Sequence, residues 1–345
     1  MSINALAKEV GLSPSTIYRA LSRPGLVSSE ALRNIHNAAR SMNIDLQKKS
    51  HRGRPLKSEG SNPNLKKLGL WFVGIDENRA NRYMSAQIAL VRIACAQAGL
   101  SHHFIFSSSA DEVPVEISQR AVDMVLLEGS IPGKEAMEQL GRIPSVWILT
   151  RKSKNYPGDY VEPDNEANGQ MAADFLSSNG HRHVAYVTTE PHHPAFARRQ
   201  DSFLEHCAQL GMNAKNLARS VYESTKHPQP PPTEEKEDEL ADSLLSLNPN
   251  PTGIYLPSEH AVGAIYRGLR RKGKDPARFD WILGNYDSYV WPQLDPLPAV
   301  IDVNFRTILN TAVKIAAWRA QERDLTGRIG ISIGPTLFSN GRKSS

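Results

Sequence analysis

Within the run "SPSTIYRAL" lie four side chains suited to DNA contact: Ser15, Thr16, Tyr18 and Arg19. A guanidinium fork can grip the two major-groove acceptors of a guanine, which makes Arg19 the natural base reader. Tyr18 and Ser15 can reach base edges, and the Thr16 hydroxyl suits a phosphate. A solvated helix face is the alternative for Tyr18 and Arg19. A second basic set follows in "HRGRPLK", His51 to Lys57, with Arg52 and Arg54 two positions apart. This run is too polar to build a core of its own. It is either a tether attracted to phosphates or a reader of a narrow, electronegative minor groove.

The elements around the first set are legible from periodicity. Ile3, Leu6, Ala7 and Val10 recur at helical spacing and form one apolar face. Gly11 ends that helix, because glycine takes the left-handed conformation most easily. Ser13 suits an N-cap and Pro14 the next position, where no helical N–H is lost. In the second helix Ile17, Ala20 and Leu21 point inward, so Pro14, Ser15, Tyr18 and Arg19 fall outside. Pro24 and Gly25 break the chain. Ser28 or Ser29 caps a third helix, with Glu30 in its first turn and Leu32, Ile35, Ala39 and Met42 buried. Two helices joined through a glycine turn, with a third across them, predict an all-α helix-turn-helix headpiece whose second helix enters the major groove.

Charge agrees. Residues 1–67 hold twelve Lys or Arg and four acids, a net +8, whereas the remainder carries −3. A small basic head on a mildly acidic body is the footprint of a nucleic-acid binder. The body alternates apolar strands with helices. Strands are expected at "KLGLWFVGI", "SHHFIFS", "AVDMVLLEGS", "PSVWILT", "HVAYVTT", "RSVYE", "TGIYLPS" and "DWILGNY". Helices are expected at "MSAQIALVRIACAQAGL" and near 166–179, 195–210, 233–247 and 259–273. That order predicts α/β architecture with parallel sheets and a crevice at the strands' carboxyl ends.

Several classes are disfavoured. No run of eighteen apolar residues offers a membrane span, and "MSINALAKEVG" lacks a signal-peptide core, so a cytoplasmic location is expected. Cys95 and Cys207 are the only cysteines, and both sit in helix-like stretches as packing thiols. No Walker loop, G-x-G-x-x-G or C-x-x-C occurs. The histidine pairs at 102–103 and 192–193 suit zinc poorly. "LSSNG" and "SSSAD" are not nucleophile elbows. The chain is expected to be no enzyme and to need no cofactor or metal.

The stretch "SINALAKEVGLSPSTIYRALSRPGLVSSEALRNIHNAARSMNI" resembles the headpiece of the lactose/galactose repressor family of bacterial transcriptional regulators. By that resemblance Pro14, Ser15 and Arg19 fall where the family reads bases. The body is similar too. "DYVEPDNEANGQMAADFLSSNGHRHVAYVT" approximates the family's "DN..GG..A..HL...GH..IA.I", "RRQDSF" its "R..GF", and "ILGNYD" its "VVGFDD". The resemblance implies two doubly wound parallel-sheet subdomains of periplasmic-binding-protein type around a sugar site. It places Asn81, Tyr83, Arg199 and Asp287 in that site: Tyr83 stacked on a sugar ring, Asn81 on a hydroxyl, Arg199 holding hydroxyls or an anion, and Asp287 as an acid. The alternatives are a surface turn for Asn81 and Tyr83, a surface ion pair for Arg199 and a loop cap for Asp287.

Two departures matter. Pro257-Ser258 stands where the family has an Asn-Asp pair, removing a polar clamp. The linker lacks the family's hinge-helix pattern, and its "RGRP" resembles the core of AT-hooks, which lie extended in the minor groove. Leu56 is a candidate wedge there.

The expected organisation is a headpiece at 1–46, a basic linker at 47–66 and a ligand-binding and dimerisation domain at 67–340. Subdomain 1 is expected at 67–161 and 291–323, and subdomain 2 at 162–290 and 324–340. The reading is a regulator, of the repressor kind, of carbohydrate-related genes. It would bind a pseudo-palindromic double-stranded operator as a homodimer under control of a sugar or derivative, with no membrane partner. The alternative is a transport- or sensing-type sugar-binding protein whose head binds DNA non-specifically.

Overall fold

The computed structural model describes residues 66–77, 82–149, 158–219, 232–285, 294–322, 326–339 and 342–343, and near the N-terminus 7, 9–13, 16–17, 31, 34–35 and 37–38. It divides into two compact units, Met1–Asn62 and Pro63–Ser345.

In the first unit, Ala7, Ile17 and Ile35 are buried, one from each helix expected there. Gly11 adopts a φ of +68°, and the Leu12 N–H donates to the Ala7 carbonyl at 3.0 Å, closing the first helix. Ser13 caps the second: its Oγ accepts from the Thr16 N–H at 3.1 Å. Pro14, Ser15, Tyr18, Arg19, Arg52 and Arg54 lie outside the described residues, as does the whole linker.

The second unit holds two sheets. The first contains β1 (Lys67–Val73), β2 (Ser101–Phe106), β3 (Met124–Gly129), β4 (Ser145–Ile148), β5 (Asp159–Pro163) and β11 (Gly330–Ile333). Its strands are all parallel, in the order β11-β5-β4-β3-β1-β2. The second contains β6 (His183–Thr188), β7 (Asn213–Ala218), β8 (Gly253–Leu256), β9 (Asp280–Asn285), β10 (Ala299–Asp302), β12 (Thr336–Ser339) and β13 (Arg342–Lys343). Its order is β13-β12-β10-β9-β8-β6-β7, parallel from β7 to β10 and antiparallel beyond.

Each sheet is covered on both faces, as a parallel sheet requires. In the first half Leu68, Leu70 and Phe72 of β1 pack toward α1 (Arg82–Ala98) and α8 (Phe305–Gln321). Trp71 and Val73, pointing the other way, meet α2 (Val115–Ser118) and α3 (Lys134–Leu140). In the second half Val184 and Tyr186 face α4 (Asn165–Ser178) and α5 (Pro194–Gln209). Ala185 and Val187 face α6 (Glu234–Leu245) and α7 (Val262–Arg271). The strand alternation in β1 and β6 therefore divides four cores. The doubly wound α/β class expected from the sequence is the fold observed. Cys95 and Cys207 are buried in these cores as free thiols, and burial pushes them up to about 11 and about 12.

The chain crosses between the halves three times. The first crossing follows β5, near residue 162 as expected. The second falls between β10 and α8, not near 290, because β10 hydrogen-bonds to β9 in the second sheet. The third falls between β11 and β12, not near 323, because β11 pairs with β5 in the first sheet. An edge strand not expected from the sequence, Asn213–Ala218, is bonded only to β6 among the described residues, and the strand expected at "RSVYE" falls on residues that, after Arg219, lie outside the described ones.

Candidate functional site

In each half the strand order reverses once. The chain winds one way from β1 to β2 and the other way from β1 to β3; in the second half β6 plays the same part between β7 and β8. Ligands of open α/β sheets sit outside the carboxyl ends of the strands at such a switch point. The helix leaving β6 is α5, and Arg199 is on it.

The buried face of α5 is Ala195, Phe196, Arg199, Phe203 and Cys207. Arg199 thus occupies an apolar stripe, and it is fully buried. Its Nε donates to Asn165 Oδ1 at 2.9 Å, and its Nη1 donates to the carbonyls of Pro257 at 2.5 Å and Gly284 at 3.4 Å. Those three acceptors stand at the start of α4, just past β8 and in β9. The guanidinium therefore ties together the carboxyl edge of the second sheet. Its carbon lies 5.6 Å from the Phe196 ring centroid, and the His193 ring stacks on Phe196 at 4.1 Å. Its Nη2 is buried and has no hydrogen-bond partner among the described residues. The surface ion pair considered from the sequence is not what forms: no carboxylate among the described residues pairs with Arg199.

Neighbouring side chains hold this arrangement. Tyr186 donates to the Phe196 carbonyl at 2.8 Å, and Tyr255 donates to Asn168 Oδ1 at 2.5 Å. Burial raises both phenols far above their ordinary value, so both stay protonated donors. Gly169 lets α4 and α5 touch: a Cβ there would lie 2.5 Å from the Arg199 carbonyl oxygen and 2.8 Å from the Phe203 nitrogen.

The site is linked to the crossings. Asn165, which accepts from Arg199, donates through Nδ2 to the Pro163 carbonyl at 3.1 Å. Asp164 caps α4, its Oδ1 accepting from the Ala167 N–H at 2.9 Å, while its own N–H bonds the Ile333 carbonyl at 2.8 Å. Asn304, at a left-handed φ of 59°, donates to the Gly334 carbonyl at 2.6 Å and to Thr336 Oγ1 at 3.1 Å. The three crossings are therefore bonded to one another. Beside them, Arg198 grips Glu162 with two parallel bonds of 3.0 and 2.9 Å. That hydrogen bonding, ahead of the opposing effect of burial, raises the Arg198 pKa.

Other sequence-predicted site residues are placed as follows. Thr16 is described, and its hydroxyl bonds Ser13 Oγ at 2.8 Å. Tyr83 lies in the first turn of α1, which follows β1 at the first sheet's switch point; its side chain is outside the described atoms. Asn81 and Asp287 are outside the described residues. Two features escaped the sequence reading. Glu259, at the start of the turn that leaves β8, is one. The other is a G-x-S-x-G pattern, "GISIG", at Gly330–Gly334. It is no nucleophile elbow, because Ser332 lies within edge strand β11, opposite Glu162, and the next element is strand β12. Among the described residues no helix is long and apolar enough to cross a membrane, and no group of three His, Cys, Asp or Glu is placed to hold a metal.

Residues 173–328 match the model of a periplasmic binding protein-like domain. Solved structures similar over the full length include a complex of the transcriptional regulator CelR with cellobiose, at 16% identity, 98% coverage of each chain and a TM-score of 0.61. The chain has the fold of the lactose/galactose repressor family. A Lac repressor dimer bound to operator and the anti-inducer ONPF shares this repressor fold at 14% identity, 98% coverage of each chain and a TM-score of 0.60. A LacI family transcriptional regulator from Enterococcus faecium with bound ribose shares it at 19% identity and a TM-score of 0.62, over 79% of this chain and 97% of that one. A comparison with curated protein sequences finds no match.

Proposed function

We propose that this chain is a sequence-specific DNA-binding transcriptional regulator, a repressor of carbohydrate-related genes, that acts in the cytoplasm as a homodimer on a pseudo-palindromic operator. A small sugar or sugar derivative is its effector. The observation that carries this reading is the union, in one chain, of a +8 head whose sequence reads as a helix-turn-helix with a body of this fold whose switch point holds a buried arginine. Either part alone would fit other proteins. A transport-type sugar binder has no use for the head, and an architectural DNA protein has none for the body.

In this account Arg19 reads a guanine, Pro14, Ser15 and Tyr18 contact neighbouring base edges, and Thr16 contacts a phosphate. Arg52 and Arg54 lie in the minor groove in place of a hinge helix. The effector sits between Arg199 and Asp287 on one side and Asn81 and Tyr83 on the other. It biases the closure of the two halves through the Arg199–Asn165–Pro163 chain of bonds. Coupling of effector to DNA is then a difference in effector affinity between two closures.

The test is selection of bound duplexes from a random pool with the full chain and with a variant carrying Arg52→Ala and Arg54→Ala. The account predicts a palindrome for both, with an A·T run beside or between the half-sites for the wild type alone. Enrichment of no site by either protein would leave the alternative of non-specific DNA contact.

A further inference from the structure

The carboxyl end of the second sheet holds a second side-chain atom without a hydrogen-bond partner among the described residues, besides Arg199 Nη2. Glu259 opens the short 3-10 turn Glu259–Ala261 that leaves β8. Its Oε2 is shut off from solvent, and among the described residues it accepts no hydrogen bond. A carboxylate oxygen so placed loses its water without replacement, which is costly for a charged group. Arg199 Nη2 is in the same condition. The two do not satisfy each other, since no ion pair joins them among the described residues.

Their positions in the topology are specific. Arg199 belongs to the helix that follows β6 and donates to the Pro257 carbonyl, two residues before Glu259. Glu259 belongs to the turn that follows β8. β6 and β8 are the neighbouring strands on either side of the switch point. A bare donor and a bare acceptor thus flank the place where this class of sheet takes its ligand. Ser258, between Pro257 and Glu259, is buried and short, and Pro257 offers only its carbonyl, already taken by Arg199. Glu259 is therefore the polar side chain this strand end presents.

We propose that Glu259 is an effector-binding residue that works with Arg199, and that the effector is a neutral polyol. This rests on the sugar-site reading given above. A hydroxyl is both donor and acceptor. One hydroxyl of an adjacent pair donates to Glu259 Oε2, and its neighbour accepts from Arg199 Nη2, so each of these two atoms gains the bond it lacks. An anionic ligand would satisfy Arg199 but would meet the Glu259 carboxylate with like charge.

The experiment uses the full chain, with melting temperature and calorimetric titration as readouts. The probes are D-ribose, D-xylose, D-glucose, D-galactose and cellobiose, with glucose 6-phosphate and gluconate as charged counterparts. At least one neutral sugar should raise the wild-type melting temperature. Glu259→Gln should weaken that sugar about 10- to 100-fold, the loss of one hydrogen bond to a charged group. The ligand-free Glu259→Gln protein should melt no lower than wild type, because Oε2 holds no hydrogen bond for the substitution to remove. A structural role for Glu259 would give the reverse: a lower melting temperature and unchanged sugar affinity, and that result overturns the proposal. Tighter binding of glucose 6-phosphate or gluconate than of any neutral sugar overturns it as well, as does no response to any probe. DNA binding by the same preparations is scored separately, so loss of the regulator reading and loss of this one are distinguishable.

Discussion

The two α/β halves share a topology but fill their interiors differently. The first half is held at its centre by volume: Leu68, Leu70, Phe72, Leu126 and Val146 on one face, Trp71, Leu127 and Trp147 on the other. The second half places polar groups at the corresponding depth. Arg199, Asn165, Asn168, Tyr186 and Tyr255 are all buried there, and hydrogen bonds hold them in fixed orientation. The difference lies in the hydrogen-bonded network around Arg199, since the first half buries polar groups as well, among them Gln87 and Ser107. The first half has a shielded guanidinium too, but Arg319 there is paired with the Asp159 carboxylate, whereas Arg199 bonds only neutral acceptors among the described residues. The second half keeps Arg199 at the carboxyl edge of its sheet, and its bond to Asn165 leads to the first crossing.

Substitutions of similar severity in the two halves should separate stability from binding. Leu126→Ala in β3 should lower unfolding free energy by about 3 kcal/mol through a cavity and leave sugar affinity unchanged in the folded protein. Arg199→Met should cost about 2–3 kcal/mol, because Asn165 and two carbonyls lose their donor, and should abolish sugar binding. Urea unfolding and calorimetry check both. Loss of sugar binding in the folded Leu126→Ala protein would erase the contrast between the halves.

Next in size is Arg19→Ala in the head. It should weaken specific DNA binding by about 1–3 kcal/mol and leave sugar binding intact. An equal loss on random DNA would remove Arg19 as a base reader. Tyr255→Phe should follow, at about 1 kcal/mol of stability, since Asn168 Oδ1 loses its buried donor while the ring packing stays.

The smallest effect is on pH dependence. Glu237 on α6 is buried between Arg267 and Arg271 of α7. Burial alone would raise its pKa, but the hydrogen bonds and charges of the two arginines outweigh that and hold it below the ordinary 4.5. A group lowered on folding contributes stability that is present above its unfolded pKa and lost as the pH falls through the folded one. Stability should therefore decline below pH 4.5, and Glu237→Gln should flatten that acid limb, as seen in melting temperature against pH. A slope identical to wild type would show that the arginines hold Glu237 no differently from an exposed acid.

Much of this organisation was legible in the sequence, and the misses have physical reasons. Gly11 and Ser13 carry their signals in their residue types, and both act as a helix stop and a cap. β1 and β6 are apolar on both faces, so continuous runs announced them. β7 was not anticipated because an edge strand bonded to one neighbour keeps polar residues, as "NAKNLA" does. The second and third crossings were misassigned because β10 and β11 are four-residue strands, and nothing in four residues tells which sheet will accept them. Arg199 was found by motif, but its burial was readable too. It stands three residues after Phe196 and four before Phe203, in the middle of an apolar stripe. Glu259 was missed because Pro257-Ser258 read as the loss of a polar clamp, when the next residue supplies one.

The most direct test of the whole account is the affinity of the full chain for its selected operator, measured with and without a saturating neutral sugar that raises its melting temperature. The account predicts a change of about fivefold or more, in either direction, the size of a coupling between two sites on one chain. Tight binding of both ligands with operator affinity unmoved by the sugar would contradict it.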